Sequence, residues 1–589
     1  MNKKLLASLL ALCMVLAIGL TACSSDDTAT TTPAAADATT TAAAGDDATT
    51  AAEGETTAAA ADEGAPATWE NLSWEKNTSP VTLSLYIDFD WYTVDTWGED
   101  QVPQEITRLT GVSLDVIKSS DLNQLSVMLA AQELNDITFT SNLPQRFEDP
   151  DICAAWDELS AQYCPEFMEN IDDLEKLNNT AEDGHIYTLK THYNNDANWE
   201  DPRNLPSPGD SGLYYRADIM EKLNLPMFNS VETFEETLYA VQAKANEVGI
   251  TMVFNPHPSW SSAIAEFVGA PLTRYWDDES KSIKLQYNSE KYLEYFKLMN
   301  KWYRDGLMPK DYLGVRPEDF FQRNRSGQVF AAQYNCGLQV ETNELWRQNG
   351  TGGLSTDMTK PYFKIVKEPL TYKGEDLLTY PDYNIGWAST FLSASCENLD
   401  RAILFMEFLK SPQGDELTQW GIEGKHYTLN EDGLIVRTEE YNNYTADELK
   451  QTGIGPWYLQ ASGLGEGVSV HSTILSTDPE KAIDAQDEVD MLKMRKTHYD
   501  RQPVMYFAKT DLDSDELAIQ TKLADEWNKR TAQMIAAGSE AEVEQLWNEM
   551  QDYMKANGIE KVEAMMTANY KEALARYQAA GYFTDIVIE

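Results

Sequence analysis

Residues 81–140 carry the clearest alternation of apolar and polar positions. Val81, Leu83, Leu85 and Ile87 take every second place, the period of a strand with two unlike faces. Ile106 and Leu109 then share one side of a helical stretch that Gly111 closes in a C-cap position. Val112, Leu114 and Val116 alternate again. Leu122, Leu125, Leu129 and Gln132 return to helical spacing, and Asp136 to Thr140 reads as a third strand. The order β-α-β-α-β predicts a parallel sheet with right-handed crossovers. Open sheets of this kind bind ligands outside the carboxyl ends of their strands. Here those ends are Asp88-Phe89-Asp90-Trp91-Tyr92 and Ser141-Asn142.

Later segments are rich in helix. Val231, Phe234, Leu238, Val241, Ala245 and Val248 step by three and four, with Ser230 as N-cap and Gly249 as stop. Tyr292, Phe296, Met299 and Tyr303 form a similar stripe ending at Gly306. Ile403, Met406 and Leu409 make another, ended by Pro412 and Gly414, and Asp515 to Tyr577 is mostly long amphipathic helix. No internal repeat is present.

The N-terminal pattern differs. Lys3 and Lys4 precede an apolar run from Leu5 to Leu20, the length of a signal-peptide core and short for a membrane span. Leu20-Thr21-Ala22-Cys23 follows the lipobox pattern, so residues 1–22 read as a signal peptide and Cys23 as the lipidated new N-terminus. An ordinary secretory signal with an incidental Cys23 is the alternative. Residues 23–67 are nearly all Ala, Thr, Asp, Gly and Glu, too poor in apolar surface to order, and read as a tether. Such a coil reaches roughly 35–40 Å on average. The folded body is expected over 68–589, too long for one simple core and enough for two lobes.

Composition narrows the function. The 96 acidic and 46 basic residues give a formal charge of −50, which repels nucleic acid and anionic polymers and suits a neutral or cationic ligand better. Cys153, Cys164, Cys336 and Cys396 form no C-x-x-C pair; a Cys153–Cys164 bridge and buried free thiols both remain open. The six histidines give no zinc spacing, and no D-x-[DN]-x-[DN]-G loop supports calcium. No cofactor is expected. Gly209-Asp210-Ser211-Gly212 has no matching histidine motif, no G-x-S-x-G occurs, and Gly463-x-Gly465-x-Gly467 lacks dinucleotide spacing. A glycoside hydrolase needs only two carboxylates about 5–10 Å apart, so that enzyme class stays open.

Several words along the body carry a resemblance. They are Gln132-Glu133-Leu134-Asn135-Asp136-Ile137, Trp156-Asp157-Glu158-Leu159 with Tyr163-Cys164-Pro165, and Asp183-Gly184-His185-Ile186-Tyr187. Tyr214-Tyr215-Arg216-Ala217-Asp218 follows, with Leu223-Asn224-Leu225-Pro226 and Thr233-Phe234-Glu235-Glu236. The most specific word is Gly421-Ile422-Glu423-Gly424-Lys425-His426-Tyr427 with Asp432-Gly433. In this order the chain resembles the type 2 extracellular solute-binding proteins of ABC importers, in their long lipoprotein branch for oligosaccharides and alginate-like ligands.

The resemblance implies an α/β, two-lobed, periplasmic-binding-protein-like fold with a hinge between lobes. By that analogy the crossovers lie near His185–Leu189 and Tyr383–Trp387. Lobe 1 then takes about 68–188 and 385–430, and lobe 2 about 189–384 and 431–589. It further implies a non-enzymatic monomer, lipid-anchored through Cys23 on the outer face of the cell membrane, that hands a carbohydrate to a permease. A peptide or amine solute is the runner-up ligand.

Sugar rings stack on aromatic faces and offer hydroxyls to carboxylates and amides. The chain holds 29 Tyr, 15 Trp and 18 Phe, so position must choose among them. Asp90, Trp91, Tyr92 and Asn142 at strand ends, Trp260, Trp387 beside the second crossover, and Glu423 are the expected ligand contacts. Trp420 and Glu423 are weaker candidates, because the Gly-Ile-Glu-Gly word also reads as a turn.

Overall fold

A computed structural model describes residues 69–588 apart from 90–95, 120, 192, 194–210, 259–261, 336–337, 350–362, 379, 382–385, 387, 431–434, 456–486, 488–489, 492–493, 495–498 and 501–502. The chain opens with β1 (Val81–Ile87), α1 (Gln101–Thr110), β2 (Val112–Lys118), α2 (Leu122–Ala131) and β3 (Ile137–Thr140), the order the alternation predicts. Gly111 caps α1 with φ of 74°, and its missing side chain lets the carbonyl of Thr78 come where a Cβ would lie 2.2 Å away. Both β2 and β3 pair with β1 in parallel.

After α3 (Asp173–Asn179) the chain crosses to a second sheet. There it forms β4 (Ser211–Arg216), α4 (Val231–Ala243), β5 (Met252–Pro256) and the hairpin β6 (Arg274–Asp277) and β7 (Ser282–Leu285). Then come α5 (Glu290–Arg304), α6 (Pro317–Arg325), β8 (Val329–Asn335) and β9 (Phe363–Ile365). Ser230 caps α4 through a full capping box with Thr233. Sheet order is β5-β8-β4-β9, with β5 and β8 parallel and β4 antiparallel to both its neighbours.

The chain then returns through β10 (Tyr380–Pro381) to β11 (Ser389–Leu392), which completes the first sheet antiparallel to β3. In the helix α7 (Leu399–Lys410) residues 401–410 are all buried. Pro412 and Gly414, expected as stop signals, open α8 (Pro412–Trp420) instead. Proline at the first helical position costs nothing, because that N–H has no helical partner, and Gly414 lets the carbonyl of Phe408 pack where a Cβ would meet it at 2.0 Å. Beyond the small hairpin β12 (Tyr427–Leu429) and β13 (Ile435–Arg437), residues 435–455 stay on the first body. The N–H groups of Gln101 and Val102, at the start of α1, donate to the carbonyls of Gln451 and Thr452. Residues 451–452 are thereby tied to α1 of the first body.

A third crossing segment holds β14 (Tyr499–Asp500), which pairs in parallel with β10. Three helices end the chain: α9 (Asp515–Ala536), α10 (Glu540–Ala556) and α11 (Ile559–Ala579). Trp527, Trp547, Met550 and Met566 pack with Phe296 and Met299 of α5 in the second body's core. Cys153, Cys164 and Cys396 are free and buried, and Cys336 lies outside the described residues. Among the described residues no helix is long and apolar enough to cross a membrane, and no cluster of His, Cys, Asp and Glu has metal-site geometry.

Candidate binding cleft between the two sheets

Strand direction decides which edges face each other. Since β11 runs antiparallel to β3 with Ser389 opposite Thr140, the returning chain enters the first sheet at the carboxyl end of β3. Since β4 runs antiparallel to β8 with Ser211 opposite Asn335, the outgoing chain enters the second sheet at the carboxyl end of β8. Both crossings thus link carboxyl edge to carboxyl edge. The Thr191 N–H donates to the carbonyl of Ala388 (3.0 Å), and the Thr390 N–H to Thr188 Oγ1 (3.1 Å), so the two segments run side by side. Gly386 makes this approach possible: a Cβ there would sit 1.2 Å from the Thr191 carbonyl oxygen.

On the first edge, Asp88 follows β1 directly and is buried. Its Oδ2 accepts from Thr140 Oγ1 (2.8 Å) and from Asn142 Nδ2 (2.7 Å), while the Asn142 N–H donates to Thr140 Oγ1 (2.8 Å). Its Oδ1 is buried and has no hydrogen-bond partner. Burial raises the Asp88 carboxyl above its ordinary value, and the Asn142 and Thr140 bonds only partly oppose that. The arrangement is an acceptor held in place by two neutral donors, suited to a ligand hydroxyl.

On the second edge, His257 follows β5, with its N–H on the carbonyl of Gln333 (2.9 Å). Its ring meets Phe320 and Tyr334 edge-on, with centroids 4.9 Å and 5.1 Å away. Burial pushes its pKa down to about 4, so the imidazole is neutral near pH 7. Beneath it lie the buried amides Asn255, Asn324 and Gln333; Asn255 Nδ2 donates to Asn324 Oδ1 (3.2 Å).

Of the expected contacts, Asn142 stands at the first edge beside Asp88. Asp90, Trp91, Tyr92, Trp260 and Trp387 lie outside the described residues. Glu423 is exposed on a turn that the rest of its word builds. Gly421 and Gly424 hold φ of 86° and 77°, and a Cβ on Gly421 would strike the His426 ring at 2.3 Å. His426 Nδ1 accepts from the Ile422 N–H (2.9 Å), so Nε2 carries the proton toward Gln101 Oε1 (2.9 Å), and burial lowers the pKa to about 4. This clip fixes the turn to the N-terminal end of α1. Trp420 is buried under the Arg437 guanidinium, 4.8 Å from its ring, and offers no face to a sugar. Asp88 and His257 were not among the expected contacts. Each is the first polar residue after a strand, and that position was the available signal.

No protein-family model and no curated protein matches the chain. Solved structures do. The alginate-binding protein AlgQ2 without calcium ion aligns with a TM-score of 0.61 at 17% identity, covering 84% of this chain and 99% of that one. An HMO-binding, ABC-transporter-associated solute-binding protein from Bifidobacterium longum infantis gives 0.62 at 14%, covering 84% and 99%. The S. pneumoniae ABC-transporter substrate-binding protein FusA, in complex with kestose, gives 0.59 at 14%, covering 85% and 100%. All three are named as binding proteins rather than enzymes. At these identities the likeness establishes architecture: the chain has the two-lobed fold of the solute-binding proteins of ABC transporters.

Proposed function

We propose that this chain is a receptor that captures an extracellular oligosaccharide and delivers it to an ABC-transporter permease, without covalent chemistry. The observation that carries this reading is the pair of carboxyl edges, Asp88–Asn142 and His257–Tyr334, joined by adjacent crossing segments in a fold shared with carbohydrate-binding transporter proteins. Hydroxyls would meet Asp88 Oδ1 and Asn142. Asp90, Trp91, Tyr92, Trp260, Trp387 and Glu423 are proposed as further contacts. Ligand bound to both edges favours the closed state of an open–closed equilibrium, and the permease reads closure. The lobes are proposed as 68–188 with 385–455, and 189–384 with 456–589. Removal of residues 1–22 and lipidation of Cys23 would hold the body outside the membrane as a monomer. Calorimetric titration of the full chain against neutral oligosaccharides, with peptides as controls, tests the reading. One-to-one binding near micromolar, about −8 kcal/mol, with the glycan recovered intact is expected. A cleaved glycan or binding of peptides alone overturns it.

A further inference from the structure

The short helix α3 is held by both bodies. The chain enters it from Ile171, in the core of the first body, and Asp172 caps it by accepting from the Leu174 N–H (2.8 Å). At about 100° per residue its positions divide into two faces. Glu175 and Asn179, four apart, share one face. Glu175 pairs with Lys410 at the end of α7 (2.7 Å), both buried, and Asn179 Oδ1 accepts from the Lys190 N–H on the first crossing segment (3.0 Å). Leu174, Leu177 and Asn178 turn the other way. The two leucines pack against the core of the second body, and Asn178 Oδ1 accepts from the Tyr577 hydroxyl of α11 (2.6 Å). Arg576, the residue before Tyr577, donates to the carbonyl of Thr180 at the C-cap of α3 (3.2 Å). None of these residues stands at either carboxyl edge.

The two faces resist motion differently. Separating a buried ion pair leaves two charges uncompensated, so Glu175 and Lys410 keep α3 fixed to the first body. Apolar contact has no preferred direction and stays favourable as the angle between two surfaces changes, so long as the leucines remain covered. On that face only the bonds from Tyr577 and Arg576 supply direction. We propose that α3 is the pivot of closure: it travels with the first body, the end of α11 turns on Leu174 and Leu177, and the bonds from Tyr577 and Arg576 favour one angle over the others. The balance of open and closed forms is then set in part by positioning residues that touch no ligand. This deepens the receptor reading above and rests on it for the ligand alone.

The test measures the separation of the bodies in the full chain by pulsed electron resonance. Oxime spin labels are carried on p-acetylphenylalanine placed at Asp115 of β2 and at Asn246 beyond α4, both exposed and on opposite bodies. Without ligand, Tyr577→Phe keeps the ring, removes the hydroxyl, and should change the ratio of the two distances by about threefold or more. Leu177→Val, which shortens the apolar face, should also shift that ratio. Tyr292→Phe removes a hydroxyl bond inside the second body, to Gln286 (3.3 Å), and should leave the ratio unchanged. Oligosaccharide affinity should change in each variant by the same factor as the fraction of the form that ligand selects. Thermal unfolding shows that each variant is folded. Wild-type distances in both Tyr577→Phe and Leu177→Val overturn the pivot, and so does an equal shift in Tyr292→Phe. Shifted distances in a chain that binds no sugar leave the pivot standing and remove the receptor reading. Unmoved distances in a chain that binds sugar do the reverse.

Discussion

Asp88 holds Thr140 and Asn142 with one oxygen and keeps the other buried without a partner, a costly state unless something arrives to use it. Replacing Asp88 with Ala should weaken oligosaccharide binding at least tenfold by calorimetry. It should also cost on the order of 1–3 kcal/mol in denaturant unfolding, because two donors lose their acceptor. Glu407 makes a different prediction. Its carboxylate accepts from the N–H groups of Ser73 (3.4 Å) and Trp74 (2.7 Å), yet burial outweighs both and raises its pKa to about 7. The folded state therefore prefers the protonated form. Its contribution is complete below the ordinary glutamate value and is lost as pH rises through about 7, by no more than ~3 kcal/mol. Unfolding temperatures of the wild type should fall between pH 5 and 8, and Glu407→Gln should flatten that slope. Residues of this kind were hard to read in advance. Asp88 and Asp90 look alike in sequence, and the burial of Asp88 at the end of β1 shows only in the folded chain.

Elements were far more legible. The strands and helices of residues 81–140 rest on local alternation and a glycine cap, which need no distant partner, and they lie where the pattern places them. Pro412 and Gly414 misled because the same residues that stop one helix can start the next; only the contact with Phe408 distinguishes the two. The Gly-Ile-Glu-Gly word proves to be a turn locked by His426, so its specificity in sequence reflects backbone geometry at Gly421. Gly386 is the sharpest test at this scale. Any side chain there must push the two crossing segments apart, so Gly386→Ala should impair ligand-induced compaction in small-angle scattering more than it lowers the unfolding temperature. In the second body Glu563 of α11 accepts from the Leu285 N–H (3.0 Å) and pairs with Lys284 (3.1 Å) and Asn288. Glu563→Ala leaves a partly buried ammonium and two donors without their acceptor, and should cost about 3–5 kcal/mol in denaturant unfolding.

The molecule as a whole is held across its junction by contacts of unequal strength. Tyr577 of α11 donates to Asn178 of α3 (2.6 Å) in a buried bond, whereas Arg146 and Asp513 pair at 3.0 Å on the surface. Surface pairs contribute about 0–1 kcal/mol, so Arg146→Ala should shift the balance of open and closed forms only slightly, within about twofold in ligand affinity. None of these long-range pairings could be read from the sequence, since they join residues hundreds of positions apart with no local trace.

The place of β11 in the first sheet carries a consequence for biosynthesis. Thr140 and its partner Ser389 are separated by roughly 250 residues, and at 5–20 residues per second that interval lasts roughly 10–50 s. During that time a newborn chain has β1, β2 and β3 but no strand beside β3, which presents an unpaired edge able to recruit a neighbouring chain. Nor can the second body finish early, since its last three helices are made after the first sheet is closed. The two halves therefore mature together, and a chain cut between them should yield two aggregation-prone fragments rather than two domains.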